Sequence, residues 1–224
     1  MMKVGIIGGT GNIGEGLARR ICLGEKYDVV IGSRDAAKAC TAADGVVCEL
    51  KDRKCTSTTC SGTTNEDVCS ADILIISLPF ERVAETIDKI GKTVFENKIV
   101  ITPINPMIRN PKEKYFLPDP PKEGSAALAI KTMLPESTKL IAAFNNVAAN
   151  KWMELDEELD YSVAVCGDDE EAKTIVMDLV GSVSRLRPLD AGPLEMTKVV
   201  EGITPLVITI AMRNGLKDVG VHFS

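Results

Sequence analysis

The chain has 224 residues, of which 45% are hydrophobic and 26% are charged, and its formal net charge is -6. This length suits one large domain with a small appendage. The acidic balance argues against a nucleic-acid partner, since phosphates are neutralised by a surplus of Lys and Arg. No apolar run reaches the roughly 20 residues of a membrane span, and no signal-peptide core follows Met1. We expect a cytoplasmic protein without membrane or nucleic-acid partners.

The cysteines are unevenly spread, because five of the seven lie between residues 40 and 69. The odd count and the lack of any Cys-x-x-Cys pair argue against a disulfide framework and a zinc ribbon. The clustering leaves metal binding or redox sensing open. The preferred interpretation is free thiols in a reducing cell, with no metal site.

Short apolar runs alternate with amphipathic stretches, which is the pattern of a parallel sheet with crossover helices. The apolar runs predict strands at Lys3–Ile7, Asp28–Ile31, Asp72–Ser77, Lys98–Thr102, Lys139–Phe144 and Ser162–Cys166. The amphipathic stretches predict helices at Asn12–Leu23, Ala36–Ala43, Glu81–Val94, Ser125–Leu134 and Glu170–Val180, with a final helix from about Leu194 to Asn214. The predicted fold class is therefore α/β, a Rossmann-type doubly wound and mostly parallel sheet with a small C-terminal helical lobe. The expected domains are 1–190 and 191–224.

Two regions do not follow this alternation. Val46–Cys69 is polar and rich in Thr and Cys, and it is expected to contain at most one poor strand. Pro103–Gly124 carries six of the eleven prolines and is too long for a simple connection. A long loop of this kind between regular elements is predicted to be functional.

A glycine-rich loop follows the first predicted strand. Gly9, Gly11 and Gly14 match G-x-G-x-x-G, in which the first glycine makes the turn, the second admits a pyrophosphate and the third packs helix on strand. The loop opens the helix predicted from Asn12, which is the context this motif requires. The helix N-terminus would receive the anion. We therefore predict dinucleotide binding.

The end of the second strand predicts which dinucleotide is bound. An NAD enzyme normally places an Asp or Glu there to hold the ribose hydroxyls. This chain has Ser33 and Arg34, and Lys38 returns to the same helical face four residues later. A hydroxyl and two cations suit a 2′-phosphate. The predicted cofactor is NADP(H).

Acid–base side chains are scarce. Gly8, Gly11 and Gly14 also fit the short-chain dehydrogenase spacing, but no lysine stands four residues after any tyrosine, as that family's Tyr-x-x-x-Lys would require. His222, the single histidine, lies in the C-terminal tail. Carbonyl reduction usually needs a proton donor, whereas hydride transfer between two flat rings needs proximity, stacking and exclusion of water. We expect no catalytic acid or base.

Three loops follow predicted strands at the edge of the sheet where ligands of open α/β folds bind. They are Ser77–Arg82, Thr102–Pro106 and Phe144–Ala149. Each combines small or apolar residues with proline or amide side chains, which suits the walls of a site for a flat aromatic ligand.

Several motifs, in the same order, resemble those of archaeal coenzyme F420:NADP oxidoreductases. They are Gly8–Gly14, Gly32–Arg34 with Lys38, Cys166–Asp169, Arg187–Leu194 and Glu201–Leu206. The resemblance covers almost the whole chain and fails mainly across residues 39–70. It implies an oxidoreductase that passes a hydride between C5 of the reduced 8-hydroxy-5-deazaflavin and C4 of the nicotinamide, and it implies a homodimer. The C-terminal lobe would then help to close the deazaflavin pocket.

The resemblance also implies site residues. It places the glycine loop and the end of the second strand on the adenosine and phosphate groups of NADP, through Thr10, Gly11, Asn12, Ile13, Ser33, Arg34 and Lys38. The glycine motif adds Gly9 and Gly14 to the predicted cofactor-binding residues. Along the remainder of NADP it places Leu78, Arg82, Ile104 and Ala149. Val147 and Val219 would wall the deazaflavin. Where relatives often carry a His-Thr pair and a proline, this chain has Asn145-Asn146 and Ala148, so no histidine proton relay is expected.

The deazaflavin carries a phosphate and an oligoglutamate tail, so its groove is expected to contain cations. The candidates are Arg109, Lys112, Lys114, Arg185 and Arg187. Two alternatives stay open: an NADPH-dependent flavin or imine reductase, and a sensor that binds NADP(H) without turning it over.

Overall fold

The computed structural model describes residues 1–147, 149–217 and 219–223. The strands are β1 Lys3–Ile7, β2 Asp28–Ser33, β3 Cys60–Thr64, β4 Ile73–Ile76, β5 Ile99–Thr102, β6 Met107–Asn110, β7 Tyr115–Pro118, β8 Lys139–Ala142, β9 Tyr161–Gly167 and β10 Leu186–Asp190. The α-helices are α1 Asn12–Leu23, α2 Ala36–Asp52, α3 Val83–Ile90, α4 Ala126–Met133, α5 Glu170–Ser182, α6 Thr197–Val200 and α7 Ile203–Asn214.

Eight strands form one sheet in the order β10-β9-β8-β5-β4-β1-β2-β3. All neighbours pair in parallel except β8 and β9, which pair antiparallel through Ile141↔Gly167 and Ala142↔Cys166. The strand order reverses direction between β1 and β4, where open α/β sheets bind their ligands. The predicted fold class, a doubly wound and mostly parallel sheet, is confirmed.

Helices cover both faces of the sheet, which explains why its central strands are apolar on both sides. The helices α1, α2 and α5 bury one core, with Leu17, Val46 and Val176 among its members. The helices α3 and α4 bury the other, with Val83 and Ile130. Among the residues described, none of the helices has both the length and the apolarity that crossing a bilayer requires.

Several predicted boundaries are wrong. The helix α2 continues past Ala43 to Asp52, because Val46 and Leu50 extend its buried face. The segment predicted as a helix over Glu81–Val94 is a 3-10 turn, the short α3 and a second 3-10 turn, interrupted at Gly91, where φ is +94°.

The two regions without an assignment contain regular structure. The poor strand expected in the Thr- and Cys-rich segment exists as β3, and it pairs with β2 at the sheet edge. The proline-rich segment contains the hairpin of β6 and β7, whose Phe116 amide donates to Thr209 Oγ1 of α7 at 2.8 Å. The expected final helix is divided into a 3-10 turn, α6 and α7. Sequence reasoning also missed β10.

Candidate functional site

The glycine loop between β1 and α1 has the shape that a pyrophosphate requires. Gly8 has φ +74°, and Gly9 donates its amide to Gly32 O at 2.8 Å. A Cβ on Gly14 would lie 2.7 Å from the Cα of Gly9, whereas a Cβ on Gly11 would meet only Gly8 O, at 3.7 Å. The protein's own packing therefore requires Gly14, and it leaves open the space beside Gly11 in which a ligand phosphate would lie.

The N-terminus of α1 also suits an anion. Gly11 is its N-cap residue and has no side chain with which to cap the helix. The N–H groups of the first turn are therefore left for a ligand, and the helix dipole favours negative charge there. The residues present fit the phosphates of a dinucleotide.

The residues predicted to bind the 2′-phosphate lie at the end of β2 and the start of α2. Ser33 is buried, while Arg34 and Lys38 are exposed and form no ion pair in the part of the chain that the structure describes. A carboxylate does stand next to them, on Asp35. It accepts from the amides of Ala37 at 3.0 Å and Lys38 at 3.3 Å as the N-cap of α2. Asp35 is therefore used by the helix, and the two cations remain available to a phosphate.

A cleft of about 1310 Å³ opens at the carboxyl ends of the parallel strands. Its walls come from the glycine loop, the loops after β4, β5 and β8, the helix α7 and the tail. Of the predicted site residues it brings together Gly11, Asn12, Ile13, Leu78, Ile104, Val147, Ala149 and Val219. Gly9, Thr10, Gly14, Ser33, Arg34, Lys38 and Arg82 do not line it.

Arg82 is not among the residues that line the cleft, although its neighbour Glu81 is. Its guanidinium pairs with Glu85 at 3.0 Å, and its side chain is 60% exposed. The cations expected for the deazaflavin tail do not line the cleft either. Its one lysine among the described lining residues is Lys217, and Glu154 and Glu157 lie on the same walls.

Two aromatic side chains form part of the apolar wall: Phe144 of the predicted loop, and Trp152, which sequence reasoning missed. Phe144 and Trp152 meet edge to face, with ring centroids 5.6 Å apart. Phe144 has φ +67°, a left-handed conformation that is costly for an aromatic residue. Such strain persists only where the surroundings hold it, and here it lies in the loop that lines the cleft.

Amide side chains join the loops after β5 and β8 to α7. Asn105 Nδ2 donates to Asn145 O at 2.5 Å and to Thr204 Oγ1 at 3.2 Å. Asn145 Nδ2 donates to Asn105 Oδ1 and to Ile104 O, both at 3.2 Å. Three walls of the cleft are therefore fixed relative to one another.

The second residue of the Asn-Asn pair has a structural role. Asn146 donates to Ser162 O at 2.6 Å and accepts from the Ala164 amide at 3.3 Å, so it pairs with β9. Ala148, which was considered together with this pair in the sequence, lies outside the described residues.

Glu201 connects the C-terminal helices to the sheet domain. It is 5% exposed, and its carboxylate accepts from the α4 amides of Ala126 at 2.7 Å and Ala127 at 3.0 Å. Burial raises the pKa of this carboxyl to about 7, and the two backbone donors only partly oppose that rise. The motif containing Glu201 was noted in the sequence, but no local signal shows that its partner is the start of α4.

Comparisons with known proteins indicate the family to which the chain belongs. The family described as NADP oxidoreductase, coenzyme F420-dependent, matches residues 3–106. The F420-dependent NADP reductase of Methanocaldococcus jannaschii is 36% identical over 228 residues, covering 100% of this chain and 98% of the relative. That of Methanothermobacter thermautotrophicus is 34% identical over 229 residues, covering 100% and 95%.

Solved structures share the fold. A candidate F420-dependent NADP reductase from Arthrobacter sp. FB24 has a TM-score of 0.78 at 20% identity, with both chains fully covered. An imine reductase from Bacillus cereus has a TM-score of 0.55 at 14% identity, covering 95% of this chain and 60% of that one. At these identities the likeness concerns the fold alone. By its sequence identity to relatives over its whole length, the chain belongs to the family of coenzyme F420-dependent NADP oxidoreductases.

Proposed function

We propose that the protein transfers a hydride between reduced coenzyme F420 and NADP⁺, yielding F420, NADPH and a proton, and that the reaction is reversible. The hydride passes between C5 of the deazaflavin and C4 of the nicotinamide. The cleft carries this proposal, because its volume of about 1310 Å³ exceeds the roughly 300–1,000 Å³ of a site for one ligand. One end is the glycine loop, and the rest is walled largely by apolar side chains, which suits two flat rings stacked face to face.

The residues of the chain would bind and orient the two cofactors. The amides of the glycine loop hold the pyrophosphate, and Ser33, Arg34 and Lys38 hold the 2′-phosphate. The nicotinamide lies along Leu78, Ile104 and Ala149, and Val147 and Val219 wall the deazaflavin. Arg82 is assigned to a cofactor phosphate, which requires it to leave Glu85. No catalytic acid or base is assigned, since proximity and exclusion of water are what hydride transfer needs.

The proposed domain division places a boundary near residue 190. Residues 1–190 form the NADP-binding domain, and residues 191–224 form a lobe that helps to close the deazaflavin pocket. Thr204, Val207 and Ile208 of α7 lie on the cleft, which supports this role for the lobe.

We also propose a cytoplasmic homodimer. Exposed apolar side chains lie on the hairpin, α6 and α7, and a second copy would cover them. They are Ile108, Leu117, Val199, Leu206 and Ile210. All seven cysteines are free thiols, which suits a reducing compartment. Light scattering of the wild type is expected to give twice the mass of one chain. The variant Leu206→Glu is expected to have the mass of a single chain. A monomeric wild type would contradict the dimer. Cell fractionation would test the location.

The activity is tested by mixing protein, NADPH and oxidised F420 without oxygen and following the visible absorbance of the deazaflavin. We expect rapid bleaching with NADPH and slow bleaching with NADH. Lys38→Ala is expected to raise the KM for NADPH about tenfold, the usual size of one charged phosphate contact. Lys51→Ala, an exposed lysine at the far end of α2, is the matched control. Binding of NADPH without bleaching would instead support the flavin-reductase, imine-reductase or sensor alternatives.

A further inference from the structure

We propose that Asn65 is a positioning residue for NADP(H), because it links the pyrophosphate loop to the 2′-phosphate turn. It follows β3, inside the stretch of the sequence that no motif explained. The proposal rests on the proposed function, since it concerns how that function's NADP site is held together.

The hydrogen bonds of Asn65 connect the ends of two strands. Its side-chain Oδ1 accepts from the backbone amide of Gly8 at 3.0 Å. Its own backbone amide donates to Ser33 O at 2.9 Å. Gly8 begins the glycine loop, and Ser33 begins the turn that carries Arg34. One residue therefore holds both halves of the dinucleotide site.

The surroundings fix Asn65 in this position. The residue is 3% exposed. Thr64 pairs with Ser33 in the β2–β3 register, and its hydroxyl donates to Asp67 Oδ2 at 2.9 Å in the turn that follows. A Cβ on Gly32 would lie 3.0 Å from Asn65 Oδ1, so the glycine before Ser33 leaves room for the crossing side chain.

This link has a consequence for cofactor choice. NADP(H) must contact the glycine loop and the 2′-phosphate turn at the same time, whereas NAD(H) lacks the 2′-phosphate. Holding the two contacts at a fixed separation before binding lowers the ordering cost of the ligand that uses both. Loss of the link is therefore expected to weaken NADPH binding more than NADH binding.

The test is the affinity of Asn65→Ala for each reduced nucleotide, measured by titrating nicotinamide fluorescence without F420. Removing the acceptor takes away the side-chain partner of the partly buried Gly8 amide. We expect the Kd for NADPH to rise about tenfold and the Kd for NADH by less than about threefold. If the alanine variant does not fold, Asn65→Ser, whose hydroxyl is too short to span the gap to Gly8, is measured in the same way.

The matched control is Thr58→Val, which removes a buried hydrogen bond near the other end of β3. Thr58 Oγ1 donates to Cys22 O at 2.8 Å. This variant is expected to lower the Tm and to leave the ratio of the two Kd values unchanged. If the Asn65 variants keep the wild-type ratio of the Kd values for NADPH and NADH, the positioning role is overturned and the proposed function is not. A wild type without preference for NADPH would overturn both this role and the proposed function.

Discussion

Replacing Glu201 by glutamine should remove a pH dependence of folding that this one carboxyl creates. Glu201 is buried against the first amides of α4, and burial raises its pKa from 4.5 to about 7. Glutamine has nearly the same size and keeps one oxygen that accepts from an amide. It cannot ionise, so it separates the charge of the group from its packing.

The direction in which stability changes with pH follows from the raised pKa of Glu201. Between about pH 4.5 and pH 7 the folded protein retains the proton that the unfolded chain has lost, so the contribution of this group to stability is full below pH 4.5 and falls as the pH rises through 7. A pKa change of this size corresponds to a loss of on the order of 3 kcal/mol across the whole window. Between about pH 5 and pH 8 we expect about 2 to 3 kcal/mol of this loss in stability.

The assay is urea unfolding of the wild type and Glu201→Gln at intervals across that range. The free energy of unfolding of the wild type should fall relative to that of the variant as the pH rises, because groups common to both proteins cancel. Glu195→Gln, an exposed carboxyl in the same lobe, is the control: Lys198 lowers the pKa of Glu195, away from the window. Parallel curves for the wild type and Glu201→Gln would refute the reasoning.

Three further substitutions test the packing around the site. Gly62→Ala should lower the free energy of unfolding by more than about 2 kcal/mol, because the new Cβ would lie 2.2 Å from the carbonyl carbon of Ala39. If urea unfolding shows little change, α2 can move away from β3. Arg20→Met should lower the free energy of unfolding by about 3 kcal/mol, because the buried guanidinium donates to backbone carbonyls, including Trp152 O at 3.2 Å. An unchanged Tm would contradict this. Gly16→Ala should raise the KM for F420, because its Cβ would lie 2.3 Å from the Cβ of Trp152 on the cleft wall. The fluorescence of this single tryptophan should shift with it, and an unshifted spectrum would count against the displacement.

The sequence was most informative where the chemistry lies in consecutive residues. The turn from Gly8 to Gly14 is one local structure, so its spacing predicted both the shape of the loop and the start of α1. The same holds for Ser33, the last residue of β2, and for Arg34, which follows it directly. The order of strands and helices also followed from hydrophobic patterning, because strands buried on both faces are continuously apolar.

Local patterning failed where a neighbour decides the structure. The strand β3 is polar, and it is a strand because β2 supplies its hydrogen-bond partners. The hairpin of β6 and β7 packs on α7, which lies far away in the sequence, through Phe116 and Thr209. No residue pattern announces that β9 runs antiparallel to β8, since pairing direction depends on how the intervening chain returns to the sheet.

By itself, then, the sequence determined the Rossmann class, the glycine loop and the cations Arg34 and Lys38, because each is written in short-range spacing. Only the tertiary structure decided which loops share a cleft, and that Asn65 reaches Gly8 and Glu201 reaches the start of α4. The physical reason is that these contacts join residues 57 and 75 positions apart in the chain. Such contacts exist only once the sheet has brought the strand ends together, and no local propensity encodes them.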